Sequence, residues 1–286
     1  MKVVTSPEEI QILAQQYRSQ GLLIGLVPTM GWFHEGHLSL MRRARQSVDR
    51  VIVSLFINPM QFGPGEDLDN YPYDLKRDCR LAEEVGVDII FAPDKGSMYP
   101  EGFATTVSVS GLTSSLCGAS RPGHFDGVTT VVAKLFNLTL PHLAVFGEKD
   151  FQQLAVIRRM VADLDFPIDI IGHPIVREKN GLAMSSRNTY LQKDEIPAAL
   201  SLSLSITAVK NAIKNNSGQT ITPADLKDIA CQIVTEHPEC EIDYIEIVDK
   251  TTLQVCTHLS EQSLLVMAVK INKRIRLIDN SLLMES

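Results

Sequence analysis

Two histidines stand three residues apart, His34 and His37, inside Met30-Gly31-Trp32-Phe33-His34-Glu35-Gly36-His37. Neutral imidazoles at a helix start can donate to phosphate oxygens, or protonate them as charge develops. The spacing also suits metal ligands, but no third ligand stands nearby in the sequence. A bare His-x-x-His is more often a surface pair; Gly31 and Gly36 turn the reading toward an anion site. Gly147-Glu148-Lys149-Asp150 offers a cation for a triphosphate and, in Asp150, an acceptor for ribose hydroxyls, although alone it reads as a solvated charged loop. Met184-Ser185-Ser186-Arg187-Asn188 gathers hydroxyls, amides and a guanidinium, which suits pyrophosphate as charge moves onto a leaving group. A polar linker would look the same. Gln61 and Gln153 are neutral amides that suit a hydroxylated carboxylate, and alone would pass for surface residues. Asp78 is a candidate contact for Mg²⁺; the metal ligands otherwise stay open. A Walker A loop, a dinucleotide glycine fingerprint and a Gly-x-Ser-x-Gly elbow are all missing from the sequence.

These residues need elements that hold them. An apolar run at 22–27 leads into the histidine segment, Pro28 and Gly31 break it, and 36–48 reads as a helix. Strand, glycine turn and helix is the layout that aims backbone N–H groups at an anion. Ser6-Pro7-Glu8-Glu9 reads as a capped helix start, with a helix to about residue 20. Strands are expected at 50–57, 88–92, 105–110, 142–146 and 168–172. Helices are expected at 74–85, closed by Gly86, at 126–140, capped by Asp126, and at 152–164. Alternating strands and helices predict an α/β, Rossmann-like, doubly wound parallel sheet. Ligands of such sheets lie beyond the strands' C-terminal ends, where 30–37, 58–61 and 147–150 all fall. After residue 188 the pattern changes. Helices at 193–215 and 223–237, with Thr222 as cap, a turn at 215–218, strands at 241–248 and 263–271 and a short return at 274–278 predict a smaller C-terminal α+β domain. The expected division is 1–175 for the nucleotide- and acid-binding domain and 176–286 for a lid domain, which loop 184–188 would help close.

Apolar residues at 44% of 286 suffice for a packed core, and a net charge of -7 argues against nucleic acid or an anionic membrane as partner. Gly, Ser or a charge interrupts each apolar run before membrane length, and the first residues show no signal-peptide core. Five cysteines in odd number without metal-like spacing read as reduced thiols, so the expectation is a soluble cytoplasmic protein. Arg42, Arg43 and Arg45 read as a solvated helix face. Lys270, Lys273, Arg274 and Arg276 read as a charged strand edge.

Pro28-Thr29-Met30-Gly31 followed by His34-Glu35-Gly36-His37 resembles the pantoate–β-alanine ligase (pantothenate synthetase) family. The likeness continues through 56–63, Asp69-Asn70-Tyr71-Pro72, Arg121-Pro122-Gly123-His124-Phe125-Asp126-Gly127-Val128, 146–150, 184–188, Asp243-Tyr244, Val248-Asp249 and 276–280, so it covers nearly the whole chain. The His-x-Gly-His (HxGH) element alone resembles only the wider nucleotidyltransferase and class I aminoacyl-tRNA synthetase superfamily. The resemblance implies ATP with Mg²⁺, pantoate and β-alanine as substrates, a pantoyl-adenylate intermediate, and a homodimer. It implies that Met30, Gly31, Trp32, Phe33, His34, Glu35, Gly36, His37, Gly147, Glu148, Lys149, Asp150, Val176, Met184, Ser185, Ser186 and Arg187 hold ATP. Among these, His34, His37, Lys149, Ser185, Ser186 and Arg187 would act on its phosphates, with His37 the proton donor. Asn58, Gln61 and Gln153 would hold the acid, Gln61 also lying near β-alanine. Trp32 sits at a variable position of the pattern. A carboxylate needs no Ser or Cys nucleophile to attack phosphorus, and none stands out. Two other readings compete. An adenylyltransferase acting on a phosphate would want added Arg or Lys where neutral glutamines stand. A non-enzymatic nucleotide-binding or scaffold protein would not need His34, His37, Lys149 and Arg187 together.

Overall fold

The computed structural model describes residues 1–216 and 221–284. The turn expected at 215–218 therefore lies partly outside the described residues. The chain divides into two compact units. The first comprises Met1–Ser114, Arg121–Glu148 and Gln153–Pro174; the second takes Ser115–Ser120, Lys149–Gln152 and everything from Ile175 onward.

The first unit is built on six strands, β1 (Lys2–Val4), β2 (Ile24–Thr29), β3 (Arg50–Leu55), β4 (Ile89–Phe91), β5 (Leu143–Gly147) and β6 (Asp169–His173). Their order is β1-β4-β3-β2-β5-β6, and every pairing is parallel. The chain moves from β2 to β3 on one side, while β5 lies on the other, so β2 and β5 flank the topological switch point. Helices α1 (Pro7–Ser19), α2 (Glu35–Arg45), α3 (Leu75–Glu84), α4 (Lys95–Met98), α6 (His124–Thr139) and α7 (Phe151–Asp163) connect the strands; α5 (Cys117–Ser120) belongs to the second unit. Ser6 caps α1 by accepting the Glu9 amide, and Gly86 takes φ +82 just beyond α3. The inner strands β2, β3, β4 and β5 read as continuous apolar runs because both faces are covered. On one face Val27, Val51, Val53, Leu55, Ile90 and Val145 pack with Leu38, Met41 and Ala44 of α2 and Ala82 of α3.

Several expectations need correcting. Strand β2 starts two residues later than expected and runs through Pro28. Proline is accommodated because β5 pairs only with Gly25 and Leu26, so no ladder partner is lost at Pro28. Residues 105–110 alternate but form no strand. Instead Thr130 Oγ1 accepts the Val107 amide at 3.0 Å and Thr129 Oγ1 donates to the Val107 carbonyl, so side chains satisfy the backbone that a ladder would have used. Helix α6 begins at His124, because Gly123 at φ +81 turns the chain there. Asp126 lies in its first turn, accepting Ser108 Oγ at 2.7 Å, rather than capping it. Strand β1 and the short helices α4 and α5 have no counterpart in the sequence reading.

The second unit packs α8 (Ile196–Asn215) and α9 (Pro223–Thr235) on an antiparallel sheet of β7 (Cys240–Asp249), β8 (Ser263–Ile271) and β9 (Ile275–Leu282), with β8 central. Thr222 and Asp225 form a capping box for α9. The return strand β9 is a full eight residues because it pairs along β8 from Leu264 to Ile271. Strand β7 bulges between Ile242 and Tyr244, leaving Asp243 as the extra residue. The segment Lys193–Asn215 is long and apolar enough to cross a membrane by length and composition, contrary to the sequence reading. Its Ala198, Ala199, Leu202, Ile206 and Val209 are buried in this unit's core, which accounts for the apolarity.

One contact sets how closely α6 approaches the turn at 59–61. A Cβ on Gly127 would lie 2.3 Å from the Met60 carbonyl oxygen. Gly127→Ala is therefore expected to destabilise the first unit by about 2–3 kcal/mol, measured by chemical denaturation; unchanged stability would show that the two elements separate freely.

Candidate active site

Beyond β2 the chain makes a tight turn before α2. Gly31 takes φ +92, where a Cβ would meet Leu55 and Asp78 at 3.1 and 3.2 Å. Trp32 also takes a left-handed φ, +53, which costs of order 1–3 kcal/mol for a residue with a side chain. Asp78 on α3 offsets that cost. It is fully buried, and its carboxylate accepts the amides of Trp32 at 2.7 Å and Phe33 at 2.8 Å. Arg77 completes the grip: it donates to Asp78 at 3.1 Å and to the Phe33 carbonyl at 2.7 Å, and its guanidinium lies 4.8 Å from the Trp32 ring centroid. Burial pushes the Asp78 carboxyl up, while the Phe33 and Trp32 amides and the charge of Arg77 pull it down. Asp78 is thus a loop anchor whose carboxylate oxygens accept from protein donors. Among the described residues no group of three His, Cys, Asp or Glu could hold a metal ion.

The anchored turn delivers His34 to the N-cap of α2 and His37 to its first turn. Their rings stack at 4.1 Å between centroids. His37 Nδ1 accepts the His34 amide at 3.4 Å, so the proton of a neutral His37 sits on Nε2. At the start of α2 the His37 and Leu38 amides donate to the His34 carbonyl at 2.8 and 3.1 Å, and the helix dipole adds partial positive charge at this end. Glu35 turns its side chain to an ion pair with Arg42. The Phe33 ring lies in the hydrophobic core, so this residue shapes the turn through its backbone.

Residues 58–61 form a second part of the first unit's site. Asn58 is buried and donates through Nδ2 to Gln61 Oε1 at 3.1 Å, and Gln61 Nε2 reaches Met30 Sδ at 3.3 Å. Three residues expected in the site, Met30, Asn58 and Gln61, are therefore brought together. Arg121 and His124 of α6's entry both contact the Gln61 carbonyl, at 3.2 and 2.8 Å, and Arg121 also pairs with Glu66. In the sequence, only a charge and an imidazole in a loop signal this role for Arg121 and His124. Gln153 is half-buried on α7.

In the second unit, 176–184 is a hairpin. Arg177 bridges Ala183, the Met184 amide donates to the Val176 carbonyl at 2.9 Å, and Gly181 at φ +97 makes the turn. Val176 and Met184 thus sit side by side. Ser185 then caps a short turn, Ser186–Tyr190, by accepting the Arg187 amide at 3.3 Å. Asn188 donates to Glu178 and to the Ala183 carbonyl, tying that turn to the hairpin. Strand β9 holds two of these parts. Buried Asp279 takes Arg177 in a bidentate pair at 2.6 and 2.9 Å, and Asn280 donates to the Lys149 carbonyl at 2.9 Å. The basic run is also more engaged than a charged edge: Arg276 pairs with Asp243, Arg274 with Glu195 and Lys270 with Glu241.

A family model described as pantoate-beta-alanine ligase matches residues 2–282. The chain belongs to that family. Proteins named pantothenate synthetase from Heliobacterium modesticaldum and Geobacter sulfurreducens are 52% and 51% identical, over 98% of this chain and 98% of the first, and 100% of this chain and 99% of the second. A crystal structure of pantothenate synthetase from Thermus thermophilus superposes with a TM-score of 0.92 at 43% identity, with full coverage of both chains. The pantoate-beta-alanine ligase of Francisella tularensis, solved in complex with beta-gamma ATP and beta-alanine, superposes with a TM-score of 0.80 at 31% identity over 100% of this chain and 99% of that one.

The family pattern in 30–37 depends on a residue 45 or more positions away in sequence, Asp78. Asp78→Asn keeps the shape but sets an N–H against an amide donor. It is expected to destabilise the first unit by about 3 kcal/mol and to accelerate amide hydrogen exchange at Trp32 and Phe33. Unchanged protection at those two amides would contradict the anchor.

Proposed function

We propose that the protein condenses (R)-pantoate with β-alanine using Mg²⁺–ATP, through pantoyl adenylate, giving pantothenate, AMP and pyrophosphate. The observation that carries this is the family match from residue 2 to 282 together with donors of the right kind at the switch point. In the first step a carboxylate oxygen of pantoate attacks the α-phosphorus and the bond to pyrophosphate breaks. The carboxylate is already a nucleophile, so the barrier is charge build-up on phosphate oxygens. His37 Nε2–H and the α2 amides donate to those oxygens. Lys149 and Arg187 neutralise the departing pyrophosphate, assisted by Ser185 and Ser186. In the second step the amine of β-alanine attacks the acyl carbon, the acyl–phosphate bond breaks and AMP leaves with the electron pair. Val176 and Met184 line the adenine side, Asp150 takes the ribose, and Asn58, Gln61 and Gln153 hold the acid. Mg²⁺ arrives on the nucleotide as part of the substrate, bound through its phosphates. The active form in this proposal is a cytoplasmic homodimer; five free cysteines suit a reducing compartment.

The protein is expected to catalyse ATP–pyrophosphate exchange that requires pantoate and not β-alanine. Absence of exchange from folded protein with Mg²⁺ present would sink the ligase reading. His37→Ala and Lys149→Ala are expected to lower the single-turnover adenylation rate about 100-fold or more while unfolding at the wild-type denaturant midpoint. A near-wild-type rate in either would remove that residue from its role.

A further inference from the structure

The amide of Gln61 has only one orientation open to it, and the reason begins with Asn58. The Met60 backbone N–H, which can only donate, points at Asn58 Oδ1 at 3.3 Å. The Gly127 carbonyl, which can only accept, faces Asn58 Nδ2 at 3.0 Å. Two main-chain groups of opposite kind therefore fix which end of the Asn58 amide is oxygen. Its remaining Nδ2 proton goes to the Gln61 side chain at 3.1 Å, which must present Oε1 to receive it. The Gln61 NH₂ then rests on the sulfur of Met30 at 3.3 Å. A thioether is a weak acceptor, readily exchanged for an oxygen.

The chain of bonds has one further member. The Tyr99 hydroxyl donates to Asn58 Oδ1 at 2.8 Å. Its ring is locked between Phe56 and Phe103, with centroids at 6.0 and 5.0 Å. Burial pushes the phenol up to about 12, so it remains a donor across the neutral range. We propose that Tyr99 is a positioning residue for the acid substrate: through Asn58 it holds Gln61 as a pure hydrogen-bond donor, which selects ligands that offer an oxygen lone pair at that point. This rests on the ligase reading: the two main-chain groups fix the sense of the Asn58 amide, and Tyr99 strengthens and holds it, so that the Gln61 donor keeps its place in the acid pocket. Hydrogen bonds in such a chain polarise one another, so removing the first donor weakens the last.

The test is steady-state ATP–pyrophosphate exchange on the full chain. Tyr99→Phe is expected to raise KM for pantoate about tenfold and to leave KM for ATP and the saturated exchange rate within about twofold of wild type. In a Gln61→Ala background the same substitution is expected to have little further effect on pantoate, because both changes act through one contact; a role in stability alone would give additive effects. An unchanged pantoate KM in Tyr99→Phe, an equal rise for ATP, or additivity with Gln61→Ala would each overturn the proposal. If Tyr99→Phe fails to fold, Gln61→Glu at its half-buried position carries the test. It replaces the donor by an acceptor and should abolish saturation by pantoate while ATP protection against thermal unfolding persists; retained pantoate affinity would overturn the inference. Wild-type protein without pantoate-dependent exchange would instead remove the ligase reading and this inference with it.

Discussion

A buried carboxylate accepting two consecutive amides holds the first unit's site in shape. Asp78 has no solvent to compensate its charge, so the Trp32 and Phe33 amides and Arg77 must do it. The exchange is mutual. The turn adopts a left-handed Trp32 that the chain alone would avoid, and the carboxylate gains donors it could not find elsewhere in the core. Everything downstream inherits this arrangement: the direction in which α2 starts, the stacking of His34 on His37, and the bond from the His34 amide to His37 Nδ1. The anchor sits on α3, whose Ala82 packs in the same core as Met41 and Ala44 of α2, so the two helices are registered by apolar contacts as well.

Much of this architecture could be read from residue order. Parallel strands buried on both faces are near-continuous apolar runs, and β2, β3, β4 and β5 are legible that way. The motif segments after β2 and β5 were also visible, because glycine turns and clustered polar residues interrupt those runs. What the sequence hid is long-range pairing. Asp78 looks like any helical acid, since nothing local distinguishes a carboxylate that reaches back to Trp32. Tyr99 follows a short helix with no motif around it. The alternation at 105–110 promised a strand, yet Thr129 and Thr130 satisfied its backbone first. Periodicity reports which face is apolar; it says nothing about whether a ladder partner or a side chain closes the hydrogen bonds.

The second unit shows the same economy on a strand. Neighbouring residues of β9, Asp279 and Asn280, hold Arg177 of the 176–184 hairpin and the backbone of Lys149. Because consecutive residues of a strand point to opposite sides, one strand can fasten two separate segments. The bulge at Asp243 serves a related end, since the extra residue carries the carboxylate that pairs with Arg276.

The orientation of Asn58 has an implication for heredity. It is set by the Met60 amide and the Gly127 carbonyl, groups that every amino acid other than proline carries in the same form. Substitution can change the side chain at Met60, but it cannot turn a main-chain N–H into an acceptor or a carbonyl into a donor. The electrical sense of this corner is therefore copied with the backbone rather than with the side chains of those two positions. Descendants of this chain can drift at Met60 while keeping the same polarity toward the ligand, and a lineage that needed the opposite polarity would have to rebuild the turn itself.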